Sequence, residues 1–444
     1  MPGPERVSGG IDHEPRSDAV IKAAHDFSTA TEFSVRNGRT GDCVGPRRVA
    51  FFGGGSGGHL YPGLALAECL KARYPACDLT FFRTGRSVED RVFGSVGLVS
   101  ETVTMDLSAP TRRSLANLSF GRQCYRSVVE IRRRMFRSRF DVAVGLGGYG
   151  SLPGVLAARL SGVPVILMEQ NVKPGKANRL LGHIARCVAL SNEESQSAFA
   201  RMVRTCVTGN PLRDLVLRAR RWRQERSPEE RRLAVDNSGP GDGEGVGNRR
   251  VLLVMGGSQG AQAINRFVID SLGVVQDYRD QIYCVHLSGS ADKEAVERSY
   301  RKAGWKARVE AFDKNLPMLM AAADLVLARA GGTSLSELAA IGVPSVLIPY
   351  PGHRDRHQFL NAEVLERAGA ARVFGQEHLT QSDFESVLNL LFRDEELLAM
   401  SDAASRHGCL DGAERVVQLM EDIVAEGCEG ASRRTEPRYE KLNQ

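Results

Sequence analysis

Two glycine-rich loops, one in each half of the chain, follow directly on runs of apolar residues and constrain the fold most strongly. Residues 48–52 read Arg-Val-Ala-Phe-Phe and lead into Gly-Gly-Gly-Ser-Gly-Gly-His at residues 53–59. Residues 251–255 read Val-Leu-Leu-Val-Met and lead into Gly-Gly-Ser-Gln-Gly at residues 256–260. A buried strand that ends in a glycine turn before a helix is typical of parallel α/β sheets. The repetition therefore predicts two Rossmann-like units.

Short apolar strands continue to alternate with helical patterns after each loop. The further strands predicted in the first half are residues 79–82, 141–145, 163–168 and 187–190. Those predicted in the second half are residues 282–287, 307–312, 324–328 and 344–349. Because strands that alternate with helices pair in parallel, the pattern predicts an α/β fold. We expect two doubly wound sheets with a cleft between the domains.

Shifts in composition along the chain divide it further. Residues 219–250 are rich in arginine and glutamate and then in glycine, a composition that does not form a core. The predicted regions are a disordered extension at 1–46, a first domain at 47–213, a second domain at 214–404 with a flexible insertion at about 219–250, a helix at 411–427 that packs back on the first domain, and a polar tail at 428–444.

The composition argues against several classes of protein. The 444 residues are 42% apolar and 25% charged, as in soluble chains long enough for two cores. A net charge of +6 is too small over this length to predict nucleic-acid binding. No run approaches the roughly 20 apolar residues of a membrane-spanning helix, and the N-terminus does not read as a secretory signal. Nine scattered cysteines without a Cys-x-x-Cys pair indicate reduced thiols in the cytoplasm rather than disulfides or a zinc site.

The glycine loops follow strands at the edge where parallel α/β sheets bind anions. Helix N-termini present free N–H groups and the positive end of the helix dipole there. A third loop, Gly-Leu-Gly-Gly-Tyr-Gly at residues 145–150, follows a strand in the same way. The loops at 53–58 and 256–260 lack the lysine of an ATP-binding P-loop. One glycine turn is equally well explained by a tight connection, but matching loops in both halves favour a diphosphate bound between them.

Two polar segments of the second half each allow two interpretations. Ser334 and Glu337 have the Ser-x-x-Glu spacing of a helix capping box, and Glu337 is also suited to accept hydrogen bonds from ribose hydroxyls. Residues 353–361, His-Arg-Asp-Arg-His-Gln-Phe-Leu-Asn, are dense in donors and acceptors. That segment is either a sugar-binding loop or a solvated one.

These motifs together resemble those of the MurG family of glycosyltransferases. Gly-Gly-Ser-Gly-Gly-His at residues 54–59 is similar to the family's Gly-Gly-Thr-Gly-Gly-His signature, with Ser56 in place of threonine. The other matching segments are Gly147-Gly148-Tyr149 with Ser151 and Pro153, Glu-Gln-Asn at 169–171 followed by Pro174-Gly175 and Asn178-Arg179, Gly-Asn-Pro-Leu-Arg at 209–213, Gly-Gly-Ser-Gln-Gly at 256–260, Glu337 in its Ser-Glu context, and 355–361. The matches follow the family's order over residues 47–427. Leu152 departs from the family, which usually has glycine there.

The resemblance implies a GT-B fold, in which two Rossmann-like domains face each other across a cleft. It implies inverting transfer of N-acetylglucosamine (GlcNAc) from UDP-GlcNAc to a polyprenyl-pyrophosphate-linked muramyl-pentapeptide, on the cytoplasmic side of the cell membrane. By resemblance, Arg213 and Ser258 contact the diphosphate and Glu337 binds the ribose. Gln358, with Asn361 nearby, holds the GlcNAc hydroxyls. The remaining residues that we assign to substrate binding are Ser56, Gly57, Gly58, Asn171, Asn178, Gln259, Asp313, Gly332, Thr333, Ser334, Leu335 and Ser336.

Within these assignments, Asn171 and Asn178 line the cleft from the first domain. The backbone at Phe312 and Asp313 reads the edge of the uracil ring.

The implied reaction needs a base for the acceptor hydroxyl and stabilisation of the charge on departing UDP. His59 is the candidate base because it lies at the mouth of the first glycine loop and an imidazole titrates near neutrality. A structural or acceptor-positioning role for His59 stays open, and Glu169 and Asp355 are the reserve candidates. The predicted core contains no Asp-x-Asp segment flanked by apolar residues, so we expect no protein-bound metal.

A basic segment suggests how the chain reaches a lipid-linked acceptor. Residues 112–139 contain nine arginines and one acid, Glu130, with Leu115, Leu118 and Phe120 interspersed. Basic and apolar side chains together suit the anionic inner leaflet of the membrane. Alternatively, helically spaced apolar side chains pack on the sheet while the arginines face water. Those side chains are Tyr125, Val128, Val129, Met135 and Phe136.

Three other functions compete with this one. One is a UDP-sugar transferase of the same fold that acts on a different acceptor. Another is a non-catalytic sugar-nucleotide-binding scaffold, and the presence of all the matched polar residues argues against it. A nicotinamide oxidoreductase is disfavoured because neither loop has the full Gly-x-Gly-x-x-Gly spacing followed by a ribose-binding carboxylate. Cell-wall synthesis proteins are expected partners of the preferred function.

Overall fold

The computed structural model describes residues 45–86, 89–90, 98–108, 114–236, 246–256, 262–352 and 355–435. In this part of the chain the backbone forms two β-sheets, and neighbouring strands pair in parallel throughout. The prediction of an α/β protein with two doubly wound sheets is confirmed. Several predictions fall on residues outside the described ones, namely most of the extension, part of the insertion, the end of the tail, Ser258 and Gln259.

The first sheet contains seven strands. They are β1 (Arg48–Phe52), β2 (Asp78–Arg83), β3 (Glu101–Thr104), β4 (Val142–Gly145), β5 (Val165–Glu169), β6 (Cys187–Leu190) and β7 (Thr205–Val207). Their spatial order is β3-β2-β1-β4-β5-β6-β7. The helices of this half are α1 (Gly57–Arg73), α2 (Ser114–Ser138), α3 (Leu152–Leu160) and α4 (Lys176–Leu181). Central strands such as β1 are apolar along their length because helices cover both faces of the sheet.

The second sheet contains six strands. They are β8 (Arg250–Met255), β9 (Ile282–Leu287), β10 (Ala307–Glu310), β11 (Leu325–Ala328), β12 (Ser345–Leu347) and β13 (Ala371–Val373). Their spatial order is β10-β9-β8-β11-β12-β13. The helices that follow the first half are α5 (Asp214–Gln224), α6 (Pro228–Asp236), α7 (Gln262–Ser271), α8 (Lys293–Ala303), α9 (Leu316–Ala322), α10 (Gly332–Ile341), α11 (His357–Arg367), α12 (Gln381–Leu390), α13 (Asp394–His407) and α14 (Gly412–Thr435).

Each sheet has a point where the strand order reverses, between β1 and β4 in the first and between β8 and β11 in the second. Ligands of open α/β sheets bind at such points, beyond the carboxyl ends of the strands. The loops that leave these four strands begin at Gly53, Leu146, Gly256 and Arg329. The topology therefore brings the glycine motifs and the Glu337 segment to the two reversal points.

The last helix, α14, returns to the first half of the molecule. Val416, Val417 and Met420 are buried in the same core cluster as residues of β1 and α1. The Tyr74 hydroxyl, at the end of α1, donates a hydrogen bond of 2.6 Å to Glu421. The chain thus crosses between the two halves twice, once before α5 and once before α14.

The interpretation of residues 219–250 as a helix end followed by a flexible insertion was wrong about where the insertion begins, because most of residues 219–236 are helical. These residues complete α5 and form α6, and both helices pack on the second core. Arg223 donates to the carbonyl oxygens of Ala321 and Ala323, both at 2.8 Å. Arg232 makes a buried pair with Asp324, with nitrogen–oxygen distances of 2.9–3.1 Å. A guanidinium group with such hydrogen-bond partners can be buried. The charged composition of this segment therefore did not indicate that it is solvated.

Leu152, which departs from the family's glycine, begins α3 with ordinary helical dihedral angles, φ −54° and ψ −55°. An L-residue adopts these angles without strain, so the backbone here has no need of glycine. The glycines that do adopt positive φ in this turn are Gly147 and Gly148.

Candidate active site

A cavity of about 750 Å³ lies between the two halves, next to both points of strand reversal. Pockets of this size commonly hold small molecules and cofactors. Most of the predicted site residues line it, namely Ser56, Gly57, Gly58, His59, Glu169, Asn171, Asn178, Arg213, Asp313, Gly332, Thr333, Ser334, Glu337, Asp355 and Gln358. The fold therefore brings together side chains that lie as far apart in the sequence as Ser56 and Gln358.

Three predicted residues do not line this cavity. Leu335, Ser336 and Asn361 border a second cavity of about 50 Å³. Leu335 and Ser336 lie within α10, and Asn361 lies in α11. Gly332 lines both cavities, so these three residues lie close to the large one, and their expected role in substrate binding stays a prediction.

His59 lies in the first turn of α1, at the mouth of the first glycine loop. Its Nδ1 is 2.9 Å from the Ser56 hydroxyl. Burial, and to a smaller extent the electrostatic interaction with His357, lower the pKa of His59 to about 4. A Cβ added to Gly147, which has φ +102°, would lie 3.0 Å from the imidazole Cδ2. A glycine at position 147 therefore makes room for the ring.

Glu169 ends β5 and is nearly fully buried, with hydrogen bonds at both carboxylate oxygens. Oε1 accepts from the Asn171 backbone N–H at 3.0 Å and from the Asn171 side-chain amide at 3.2 Å. Oε2 accepts from the Gly175 N–H at 3.0 Å and from the Asn178 amide at 2.9 Å. Burial raises the pKa of Glu169, and the hydrogen bonds oppose that rise. Through these hydrogen bonds Glu169 holds the loop that follows β5 in place.

Arg213 and Glu337 form an ion pair within the cavity wall. The Arg213 Nη2 is 2.8 Å from Glu337 Oε1, and the two side chains are only 14% and 7% exposed. The same guanidinium stacks 4.0 Å from the centre of the Tyr61 ring, on α1 of the first half. Helix α10 begins at Gly332 after Gly331, so Ser334 lies inside it and does not cap it. The capping-box interpretation of Ser334 and Glu337 was therefore wrong.

The polar segment at 355–361 begins helix α11 beside the cavity. Asp355 Oδ1 is 2.9 Å from His357 Nδ1. The Gln358 side-chain oxygen accepts a hydrogen bond of 2.9 Å from the Tyr350 backbone N–H. Arg356, between them, has φ +51° at the helix N-terminus. The three cavity-lining side chains of this segment, Asp355, His357 and Gln358, are thus held by local partners.

Two hydrogen-bonded contacts join the halves next to the cavity. The Thr333 hydroxyl donates a 2.6 Å hydrogen bond to the Gly58 carbonyl oxygen. The Asn361 side chain accepts from the Val172 N–H at 2.9 Å and donates to the Asn171 side-chain oxygen at 3.0 Å. We call these contacts the interdomain clasp. They fix the width of the cleft in this structure.

The predicted uracil-reading segment also lies at the cavity. Phe312 and Asp313 line it, and Asp313 accepts a 2.8 Å hydrogen bond from Arg308. The Arg308 pair and a bond from the Asn315 N–H hold the Asp313 carboxylate in place. The expected contact with uracil stays a prediction.

Several cavity-lining residues were not predicted from the sequence. They are Tyr61, Gly148, Tyr149, Gln170, Lys173, Gly175, Lys176, Ala177, Met255, Leu287, Ala311, Lys314, Leu316, Arg329, Gly331 and His357. Lys173 and Lys176 lie between two predicted asparagines, a spacing that could have suggested them. Among the described residues, no group of three or more His, Cys, Asp or Glu side chains is placed to hold a metal ion.

Family models match both halves of the chain. The glycosyltransferase family 28 N-terminal domain matches residues 49–190, and the family 28 C-terminal domain matches residues 251–416. The two matched ranges contain the strands that border the cleft in each half.

Curated relatives match over nearly their whole lengths. The protein from Syntrophotalea carbinolica is 35% identical over 85% of this chain and 99% of its own. The protein from Nitratidesulfovibrio vulgaris (strain Miyazaki F) is 39% identical over 85% of this chain and 98% of its own. Both are named UDP-N-acetylglucosamine–N-acetylmuramyl-(pentapeptide) pyrophosphoryl-undecaprenol N-acetylglucosamine transferase.

Solved structures share the fold at lower identity. MurG from Acinetobacter baumannii is 24% identical, with a TM-score of 0.62, over 85% of this chain and 100% of its own. The UDP-GlcNAc 2-epimerase from Neisseria meningitidis bound to UDP-GlcNAc is 13% identical, with a TM-score of 0.57, over 84% and 98%. The architecture is therefore GT-B, as expected. Because the epimerase shares this architecture, the fold alone does not distinguish a transferase from an epimerase. The family assignment rests instead on the curated relatives and the two domain matches. This chain belongs to glycosyltransferase family 28 and, within it, to the MurG family.

Proposed function

We propose that this protein transfers GlcNAc, with inversion, from UDP-GlcNAc to a polyprenyl-pyrophosphate-linked muramyl-pentapeptide, releasing UDP. This hexosyl transfer would serve peptidoglycan synthesis. The observation that carries the proposal is the shared cavity, which has Arg213 and Glu337 on one wall and His59 on the other. In this proposal residues 47–213, with the returning helix, bind the acceptor and the membrane. Residues 214–404, together with Arg213 at the boundary, bind the donor.

Donor binding requires the pair between Arg213 and Glu337 to rearrange. A carboxylate bonded to both ribose hydroxyls and a guanidinium bonded to a diphosphate each form new charge-assisted hydrogen bonds. The pair in the cavity wall keeps both charges satisfied until the donor arrives. The free N–H groups at the start of α10 lie beside them and add stabilisation for the phosphate charge. Gln358 lies on the same wall of the cavity and, in this proposal, binds the hydroxyls of the sugar.

Proton removal falls to His59 in this mechanism. With Nδ1–H donating to the Ser56 hydroxyl, Nε2 retains a free lone pair for the acceptor hydroxyl. A pKa lowered to about 4 keeps the imidazole neutral at pH 7. It remains a weak base, so proton transfer becomes favourable only as the new glycosidic bond makes the hydroxyl acidic. Glu169 is less suited because four hydrogen bonds occupy its oxygens, and Asp355 is engaged with His357.

We further propose that α2 carries the chain to the anionic inner leaflet. Ile131 and Met135 are buried against the first half, whereas Leu118, Tyr125 and Phe136 are exposed. The packing interpretation thus accounts for one face of the helix and leaves an apolar, arginine-rich face in solvent. Such a face suits peripheral binding. In the described residues, none of the helices has both the length and the apolar character needed to cross a bilayer.

A radiolabelled transfer assay tests the proposed function. Wild-type protein should move label from UDP-GlcNAc to a polyprenyl-pyrophosphate muramyl-pentapeptide analogue, and unlabelled UDP-glucose or UDP-GalNAc should compete poorly. Label transferred from a different UDP-sugar, or to another lipid, would favour the related transferase. UDP binding without transfer would favour the scaffold. Elemental analysis of active, EDTA-dialysed protein tests the expectation that the chain holds no metal.

A further inference from the structure

Two lysine side chains on the first-half wall of the cavity have no role in the proposed mechanism. Lys173 and Lys176 line the cavity, and both residues are exposed to it. Within the described residues neither side chain has an ion pair or a hydrogen bond. By contrast, Arg213 on the same cavity is paired with Glu337 at 2.8 Å. The two ammonium groups are therefore available to a ligand.

The loop that carries the lysines is held in place on all sides. Glu169 accepts hydrogen bonds from residues at both ends of it, Asn171 and Gly175. The Val172 N–H donates to Asn361 of the opposite half, and the Ser195 hydroxyl donates to the Asn171 carbonyl oxygen. Because the backbone of this loop is already held in place, binding an anion costs the ordering of the two side chains but little further ordering of the loop.

Unpartnered polar atoms lie on the same wall. Asn178 is almost fully buried, and its amide donates to Met168 and Glu169, yet its side-chain oxygen has no partner among the described residues. The Tyr149 hydroxyl is likewise buried and without a partner there. Both residues line the cavity. A buried polar atom without a hydrogen bond is costly, so a ligand that brought these atoms a partner would remove that cost.

We propose that Lys173 and Lys176 bind an anionic group of the acceptor and position its hydroxyl opposite the donor. The anion is either the acceptor's diphosphate or a carboxylate of its peptide, since an ammonium group forms charge-assisted hydrogen bonds with both. The donor diphosphate is the less suitable partner because Arg213 and the start of α10 contribute to the opposite wall. The assignment rests on the proposed function for the identity of the acceptor.

The test compares Lys173→Ala/Lys176→Ala with Lys173→Arg/Lys176→Arg and with Lys302→Ala, an exposed lysine of α8 outside the cavity. Transfer kinetics give KM for each substrate, and anisotropy of a labelled acceptor analogue gives its Kd without donor. We expect the double alanine variant to raise acceptor KM and Kd about tenfold, as for the loss of charged hydrogen bonds. Its kcat and donor KM should stay within about twofold, and the arginine variant should recover most of the acceptor affinity.

The acceptor analogue distinguishes the two sources of the anion. If the peptide carboxylates bind the lysines, an analogue without the peptide will show the same Kd with wild-type and alanine protein. If the diphosphate binds them, the difference will persist. An unchanged acceptor Kd, or an equal rise in donor KM, would overturn the proposal. Wild-type protein that binds the acceptor but transfers nothing would contradict the proposed function. The role of the lysines would still be tested, because the acceptor Kd of the wild-type and double alanine proteins can be compared without transfer.

Discussion

The protonation state of His59 follows from its position between the two halves. Desolvation penalises the imidazolium form, and positive charge on His357 adds to that penalty, so the pKa lies at about 4. A solvent-exposed histidine has a pKa of about 6.5 and is partly protonated in mildly acidic solution. His59 instead stays neutral down to low pH and remains able to accept a proton.

Replacing this side chain should remove the base without removing donor binding. We expect His59→Ala to lower kcat about a hundredfold or more, the usual contribution of general-base catalysis. In the pH profile of the wild-type protein, protonation of His59 should leave kcat/KM unchanged between about pH 8 and about pH 5. It should lower kcat/KM as the pH approaches 4. Transfer rates measured across this pH range for wild-type and His59→Ala protein test both expectations. His378→Ala, which changes an exposed histidine, is the control. A loss below about fivefold would transfer the role to another group, with Asp355 tested next.

A second prediction at residue scale concerns Arg213 and Glu337. Because both side chains are mostly buried, removing one leaves the other charge unpaired, which costs about 3 kcal/mol of unfolding free energy. Glu337→Gln should therefore lower stability in urea and weaken UDP binding by calorimetry. The double variant Arg213→Met/Glu337→Gln should lose less stability than the sum of the single variants. Additive losses would mean that the pair has no energetic coupling.

At the scale of elements, the face of α2 that is exposed to solvent predicts membrane binding. Tyr125 and Phe136 are 70% and 87% exposed on a helix rich in arginine. Tyr125→Glu/Phe136→Glu should lower the fraction that pellets with anionic vesicles, because it removes apolar area and adds repulsive charge. Wild-type binding should also fall with added salt. Val274→Glu, an exposed apolar position on the second half, is the matched control, and equal losses in both variants would contradict a role for α2.

The sequence predicted the elements that depend on local chemistry. The glycine loops and apolar strands were identified because turn geometry and burial on both faces of a sheet affect neighbouring residues directly. Helix α6 was missed because its buried Arg232 depends on Asp324, which lies 92 residues away. The contacts of Asn361 with Val172 and Asn171 of the opposite half were also not predicted. Which way a helical side chain points depends on the opposite half, and the sequence alone does not contain that contact.

The molecule as a whole is two α/β units joined by two chain crossings and by the interdomain clasp. Gly332 allows their close approach, since a Cβ there would collide with the Gln170 carbonyl oxygen. The clasp residues Thr333 and Asn361 contact backbone of the first half, and Asn361 does not line the large cavity. Their loss should therefore change the width of the cleft before it changes the chemistry inside it.

Thr333→Val/Asn361→Ala tests this distinction between clasping and sugar binding. Without the clasp, open forms gain population, so small-angle scattering should give a larger radius of gyration that UDP restores toward the wild-type value. UDP affinity should fall in proportion to the loss of the closed form, because a ligand that bridges both halves must first repopulate it. Ser386→Ala, which alters an exposed hydroxyl that donates to the Ser382 carbonyl oxygen within α12 at 2.9 Å, is the control. The contrary outcome is a double variant that keeps the wild-type radius and UDP affinity but raises KM for UDP-GlcNAc. That result would mean that Thr333 or Asn361 binds the donor sugar, and that the clasp does not determine the opening of the cleft.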